Sequence, residues 1–127
     1  MIAVGLVLIG LAALIHVYIF VLESLTWTSP RTRATFGTTL ESAEATREMA
    51  FNQGFYNLFL AIAAGAGTAL VAAGQVTVGA TLAFTGAGSM VLAGLVLLLS
   101  STAKRGAALK QLVIPLLGTV ALAVGLL

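Results

Sequence analysis

Four long apolar segments, separated by polar connections, dominate the hydropathy pattern of the chain. Each contains roughly the ~20 apolar residues that a helix needs to cross the hydrocarbon core of a bilayer. The pattern predicts helices over residues 2–27, 39–73, 76–100 and 107–127. Together these predict an all-α fold, a four-transmembrane-helix bundle running up, down, up and down, in a single domain of residues 1–127.

Composition supports a membrane location and excludes some chemistry. Hydrophobic residues make up 60% of the 127 residues and charged residues 8%, whereas water-soluble domains carry about 25% charged residues. The chain has no cysteine, so disulfides, thiol chemistry and cysteine metal sites are excluded. No basic residue precedes Arg31, so the first apolar segment is predicted to be a retained span rather than a signal peptide.

The cationic residues indicate an orientation. All six lie in or beside the first and third connections: Arg31, Arg33, Arg47, Lys104, Arg105 and Lys110. With four spans, these connections share one side of the membrane, and the positive-inside rule predicts that loops 28–47 and 101–106 are cytoplasmic. Both termini are then predicted to be extracytoplasmic, in a bacterial plasma membrane. No basic patch interleaved with aromatic residues indicates a nucleic-acid partner.

The first connection has local order of its own. Ser29-Pro30 is expected to end the first helix. Thr38 and Glu41 match a capping box, so the second helix is predicted to begin near Thr39 and to continue into the membrane. Three carboxylates share a face of its first turns: Glu41, Glu44 and Glu48. The helix dipole explains them better than a divalent cation does, so no metal site is predicted.

Two ionisable residues lie inside the first apolar segment. His16 and Glu23 are seven residues apart, so at ~100° per residue they point within about 20° of each other on a regular helix. Ionisable side chains inside a span are costly and indicate a functional site by default. We predict a catalytic acid–base pair. The structural alternatives are a hydrogen bond between helices for His16, and burial or pairing with Arg31 or Arg33 for Glu23.

Polar residues also mark the start of the second span: Asn52, Gln53, Tyr56 and Asn57. With Trp27 and Glu48 as the membrane boundary, Glu23 lies at the depth of Asn52 or Gln53. His16 lies at the depth of Tyr56 or Asn57. Because consecutive antiparallel helices usually pack together, we predict one polar cavity in the cytoplasmic half. Its ligand-binding candidates are these four residues and Trp27, with helix–helix hydrogen bonds and interface anchoring as the alternatives.

The same residues resemble a known family. The segment from His16 to Glu23, then Trp27 and Phe36, then the segment from Asn52 to Ala61 are similar to the pattern of small bacterial membrane proteins catalogued as domain of unknown function 1304. The spacing and identity of several polar residues agree together over the first half of the chain. The second half agrees only in having two apolar helices. The resemblance implies a four-helix integral membrane protein and supplies no activity.

Three functions remain open from the sequence. In the first, the polar cavity binds or processes a lipid-like or small amphipathic ligand, with membrane lipids as the natural partners. In the second, the chain is a proton- or cation-linked transporter or channel subunit, working as a homo-oligomer because one four-helix bundle encloses little volume. In the third, it is a membrane scaffold or assembly factor. No phosphate-binding loop, nucleophile elbow or metal motif is present, so we predict no cofactor and leave enzymatic activity undecided.

Overall fold

The computed structural model describes residues 1–127 and contains helices and turns without β-strands. Helix α1 spans Ile2–Phe20 and continues directly into a π-helical turn, Val21–Leu25. Two short helices cross the first connection: α2 at Pro30–Phe36 and α3 at Leu40–Ala45. Three long helices follow: α4 at Arg47–Ala72, α5 at Val76–Ser100 and α6 at Arg105–Leu126, with a 3-10 turn at Thr102–Lys104.

Four helical segments are long and apolar enough to cross a membrane: Ile2–Leu25, α4, α5 and Thr102–Leu126. Helix α1 packs on α4 and α6, and α5 packs on the same two helices, so α1 and α5 lie diagonally opposite in a four-membered ring. The predicted all-α bundle of four membrane-competent helices is confirmed. The side of the membrane that each terminus faces stays a prediction.

The core of the bundle is built largely from alanine. Its buried cluster consists of Ile9, Ala12, Ala13, Ala61, Ala64, Ala83, Ala87, Met90 and Leu122. The larger Leu, Val, Ile and Phe side chains are mostly displayed on the outside of the bundle. Helices that are apolar on all sides suit a bilayer, where lipid covers the outer face. Small inner residues let the helix backbones approach closely, which is how membrane helices gain packing energy.

The seam between α4 and α5 shows this close approach most clearly. A Cβ atom added to Gly86 would lie 2.6 Å from the backbone nitrogen of Ala64, and one added to Gly79 would lie 2.5 Å from that of Val71. The hairpin turns at Gly74, whose φ of 85° is a conformation that favours glycine. Glycine therefore serves both the contact between the two helices and the tight turn that joins them.

The first connection differs from its predicted structure. The helix predicted over 39–73 is interrupted at Thr46, where φ is −105° and ψ is 7°. The Thr46 hydroxyl donates to the carbonyl of Ser42 at 2.7 Å, a back-bond that bends helices. The helix cap is Thr39, which accepts from the Ser42 amide, so Thr38 is not the cap. Pro30 begins a new helix instead of only ending the first, because proline suits the first helical position.

Candidate functional site

Glu23 lies in the π-helical turn that ends the first span. The Thr26 amide donates to the Val21 carbonyl, five residues back, at 3.1 Å. This wider turn rotates the residues within and after it relative to a regular α-helix. The regular spacing of ~100° per residue, which aligns His16 with Glu23, therefore does not hold from Val21 onwards. Single π-turns inside helices are frequent at functional sites.

The carboxylate of Glu23 is held from the facing helix. Asn57 Nδ2 donates to Glu23 Oε2 at 2.8 Å and to the Gln53 carbonyl at 3.2 Å. The sequence predicts Glu23 near Asn52 or Gln53, but the side chain that bonds to Glu23 is that of Asn57. Both amides lie on the exposed face of α4, whereas Asn57 is half-buried against α1. The predicted depth of the amide along the helix axis agrees with the structure to within about one helical turn. The rotation of α4 about its axis, however, brings a different amide to Glu23.

Two further residues, Ser24 and Gly54, form the contact between the first span and α4 beside this bond. Ser24 Oγ donates to the Phe51 carbonyl at 2.8 Å. Gly54 faces Ser24, and a Cβ atom added there would clash with Ser24 Oγ and lie 3.1 Å from the Cβ of Glu23. Neither residue is predicted as part of a site from the sequence. The signal for Gly54 was its place inside a run of polar and aromatic residues, where a missing side chain indicates a close approach.

His16 is buried in the bundle, with 3% of its surface exposed. Its Nδ1 lies 2.9 Å from the Ala12 carbonyl. Because a carbonyl only accepts, Nδ1 carries the proton of that bond, and Nε2 is left without a protein partner. Neither predicted neighbour hydrogen-bonds to His16: Tyr56 is 63% exposed on the outside of α4, and the amide of Asn57 is engaged by Glu23.

The helix register explains the surroundings of His16. Phe20 packs edge-on against Phe55, with ring centroids 5.1 Å apart. Four residues deeper in both helices, His16 is level with Phe59, in the apolar part of α4. On the other side, Gly118 meets Ile9. The same register, continued by seven residues, places His16 level with Gln111, a half-buried residue of α6 that the sequence pattern does not single out.

The end of the bundle at or near which the six cationic residues lie is called the charged end. A small cavity of about 130 Å³ opens there, between the end of the first span and the start of α4. Its lining residues are Glu23, Ser24, Leu25, Trp27, Thr28, Arg47 and Phe51. Of the predicted ligand-binding residues, Trp27 lines this cavity. The other four do not: Asn52, Gln53, Tyr56 and Asn57. Asn57 nevertheless orients the Glu23 carboxylate at its wall, and His16 lies deeper in the bundle.

Charged side chains of both signs lie in or near this cavity. Glu23 is half-buried, and the guanidinium of Arg47 belongs to an exposed residue at the start of α4. Lys104 is close enough to interact electrostatically with the Glu23 carboxylate. Trp27 Nε1 donates to Thr46 Oγ1 at 3.2 Å, and its ring lies against Phe36 with centroids 5.0 Å apart. No three His, Cys, Asp or Glu residues are grouped to hold a metal ion.

Comparison with known families bears on these residues directly. A family described as "Protein of unknown function (DUF1304)" matches residues 10–123. The chain belongs to this family. The match confirms the resemblance and extends it beyond the first half, through α5 and most of α6. It includes His16, Glu23 and Asn57. No curated protein and no solved structure matches the chain. Since the family carries no known activity, function has to be argued from the site.

Proposed function

We propose that this multi-pass membrane protein binds the polar head of a lipid-like or small amphipathic ligand in the cavity between α1 and α4. The observation that carries the proposal is the half-buried carboxylate of Glu23 at the cavity wall. One of its oxygens accepts from Asn57, and the other has no protein partner. A carboxylate held in one orientation with a free oxygen is suited to bind a polar group.

The surroundings of the cavity support an amphipathic ligand over a wholly polar one. Leu25 is 64% exposed and Phe51 is 47% exposed, and both line the cavity as well as the outer surface of the bundle. A ligand can therefore place its head beside Glu23 and lay its apolar part along these side chains. We further propose that this end of the bundle faces the cytoplasm, because all six cationic residues lie at or near it.

Proton- or cation-linked transport is the second candidate, and it is favoured by a different observation. His16 presents an Nε2 atom without a protein partner inside the bundle, at the level of Gln111. Histidine is a common proton carrier near neutral pH. In this function, Glu23 and His16 would act at two depths of one helix, and a homo-oligomer would complete the path.

Native mass spectrometry of the detergent-purified protein tests the binding function. We expect wild type to retain phospholipid adducts through detergent washing. Asn57→Ala removes the bond that orients Glu23 and should retain about tenfold less lipid. Asn52→Ala is the matched control, because it removes an exposed amide of the same helix and should bind like wild type. Equal lipid retention in Asn57→Ala, Glu23→Gln and wild type would contradict the proposal.

A further inference from the structure

Glu23 and Arg47, which have opposite charges, both line the cavity between α1 and α4, and Lys104 is a further cation near Glu23. Glu23 is held by Asn57, while Arg47 is the first residue of α4 and lies ten residues before Asn57. At ~1.5 Å per residue, the backbone of Arg47 is about 15 Å nearer the charged end of the bundle than that of Asn57. The carboxylate is therefore the inner charge of the cavity, and the guanidinium is the charge at its mouth.

Two hydrogen-bond acceptors lie next to each other at the inner end. Glu23 has one oxygen without a protein partner. Ser24 gives its proton to the Phe51 carbonyl at 2.8 Å, so its oxygen is left with lone pairs. Both residues line the cavity, and a primary ammonium has N–H donors to offer both.

The aromatic residues favour a primary over a quaternary ammonium. Quaternary ammonium groups are typically bound in cages of several aromatic rings. Here the cavity is lined by two aromatic side chains, Trp27 and Phe51. The ring of Trp27 already packs against Phe36, and that of Phe51 packs against Phe55 with centroids 5.0 Å apart. Polar oxygens, rather than ring faces, dominate the inner end.

We propose that the cavity binds an ethanolamine–phosphate headgroup, with its ammonium at Glu23 and its phosphate at Arg47. A guanidinium pairs with phosphate oxygens through directed N–H groups. A cavity of about 130 Å³ suits a headgroup and excludes acyl chains, which would lie along exposed Leu25 and Phe51. A bilayer phospholipid with this headgroup is therefore the ligand. The assignment rests on the function proposed above and specifies its chemistry.

Trp27, the single tryptophan of the chain, is a built-in reporter because it lines the cavity. Its fluorescence is measured in mixed micelles while lipids with dibrominated acyl chains are titrated as quenchers. We expect phosphatidylethanolamine to quench at about tenfold lower concentration than phosphatidylglycerol or phosphatidylcholine. Unbrominated lipid of the same headgroup should reverse the quenching. The headgroup assignment is overturned if phosphatidylglycerol or phosphatidylcholine quenches the Trp27 fluorescence as strongly as phosphatidylethanolamine does.

Variants separate the two charges. Glu23→Gln should weaken phosphatidylethanolamine about tenfold and leave phosphatidylglycerol unchanged, because it removes only the partner of the ammonium. Arg47→Gln should weaken both lipids, since both carry a phosphate. Glu41→Gln and Arg31→Gln are the charge-matched controls at exposed positions outside the cavity. If Glu23→Gln does not fold, Asn57→Ala releases the Glu23 carboxylate from its fixed orientation and should weaken phosphatidylethanolamine alone.

The outcomes distinguish this assignment from the proposed function. If all three lipids quench equally in wild type and all weaken in Glu23→Gln, the cavity binds amphipathic ligands and the ethanolamine assignment is wrong. If no lipid responds to Glu23→Gln or Asn57→Ala, both proposals are wrong. Water-soluble O-phosphoethanolamine serves as the last probe. Displacement of the brominated lipid by equimolar O-phosphoethanolamine would overturn the choice of a bilayer lipid over a soluble compound.

Discussion

Glycine brings two helices close together both in the seam between α4 and α5 and at the charged end of the seam between α1 and α4. The result of this close approach differs between the two places. In the first, Gly79 and Gly86 bring two backbones together, and the nearest atoms of the facing helix belong to Leu60, Ala64, Gly67 and Val71. In the second, Gly54 brings α1 and α4 together beside Glu23 and Ser24. Close packing therefore yields a featureless contact in one place and frames a polar cavity in the other.

The difference lies in what surrounds the glycine. Around Gly86, the neighbours are alanine and leucine, so close approach gains packing energy alone. Around Gly54, the bonds from Ser24 and Asn57 cross the helix boundary, and a cavity lies next to them. Polar groups at membrane depth cost energy unless they are satisfied. Their concentration at one end of one seam, with free oxygens remaining, is the main structural argument for a binding site.

The largest expected effect comes from disrupting the α4–α5 seam. Gly86→Leu places side-chain atoms where the backbone of Ala64 lies 2.6 Å from the added Cβ. The helices must separate, which should lower the free energy of unfolding by about 3 kcal/mol. Chemical unfolding in micelles, followed by circular dichroism, measures the change.

Gly88→Leu is the control for this substitution. It lies on the same helix, and an added Cβ atom meets nothing within 4 Å. Its unfolding free energy should stay within about 0.5 kcal/mol of wild type. Similar losses in both variants would show that leucine harms α5 for reasons other than the seam.

A smaller effect on stability and a larger one on binding are expected at the polar end. In Gly54→Ala, the added methyl meets Ser24 Oγ and lies 3.0 Å from the Ser24 amide nitrogen. Relief requires α1 to shift, which strains the bonds of Ser24 and Glu23 and should cost about 2 kcal/mol. Lipid retention in native mass spectrometry should fall with it. Gly65→Ala, on the open side of α4, should leave stability and lipid retention unchanged, and a loss there would contradict the comparison.

The smallest expected effect is at His16, and it separates function from structure. In His16→Leu, the Ala12 carbonyl loses the ring Nδ1 donor but keeps its helical backbone partner. Leucine fills a similar volume, so the free energy of unfolding should change by less than about 1 kcal/mol. Thermal unfolding and proton flux in liposomes are measured together. A loss of several kcal/mol would assign His16 a structural role, whereas loss of flux at unchanged stability would favour transport.

Much of the fold could be predicted from the sequence because bilayer thickness is a strong constraint. Long apolar runs give the four spans, and the short link at Gly74 and Gln75 leaves α4 and α5 no arrangement but a hairpin. The adjacency of α1 and α4 also followed from chain order. The break at Thr46 did not, because it depends on a hydroxyl bonding to a carbonyl that a regular helix leaves to its backbone.

The candidate site was predicted only in part. Glu23 and the second-helix amides were identified as unusual residues for a span, and depth along the axis placed them roughly together. Which amide meets Glu23 depends on rotation, and one residue changes the direction of a side chain by ~100°. Asn52 and Asn57 therefore point to different faces of α4, and the residue type alone does not distinguish them. The π-helical turn at Glu23 adds a rotation that no regular projection contains.

The sequence by itself determined the four membrane-competent helices, their order, and the presence of His16 and Glu23 inside the first of them. Hydrophobicity and helix length decide these features locally, so they can be predicted without knowing the fold. Tertiary structure alone decided that Asn57 holds Glu23, that His16 points into the bundle, and that Trp27 and Arg47 meet in one cavity. These depend on the rotation and register of packed helices, which close glycine contacts set between distant parts of the chain.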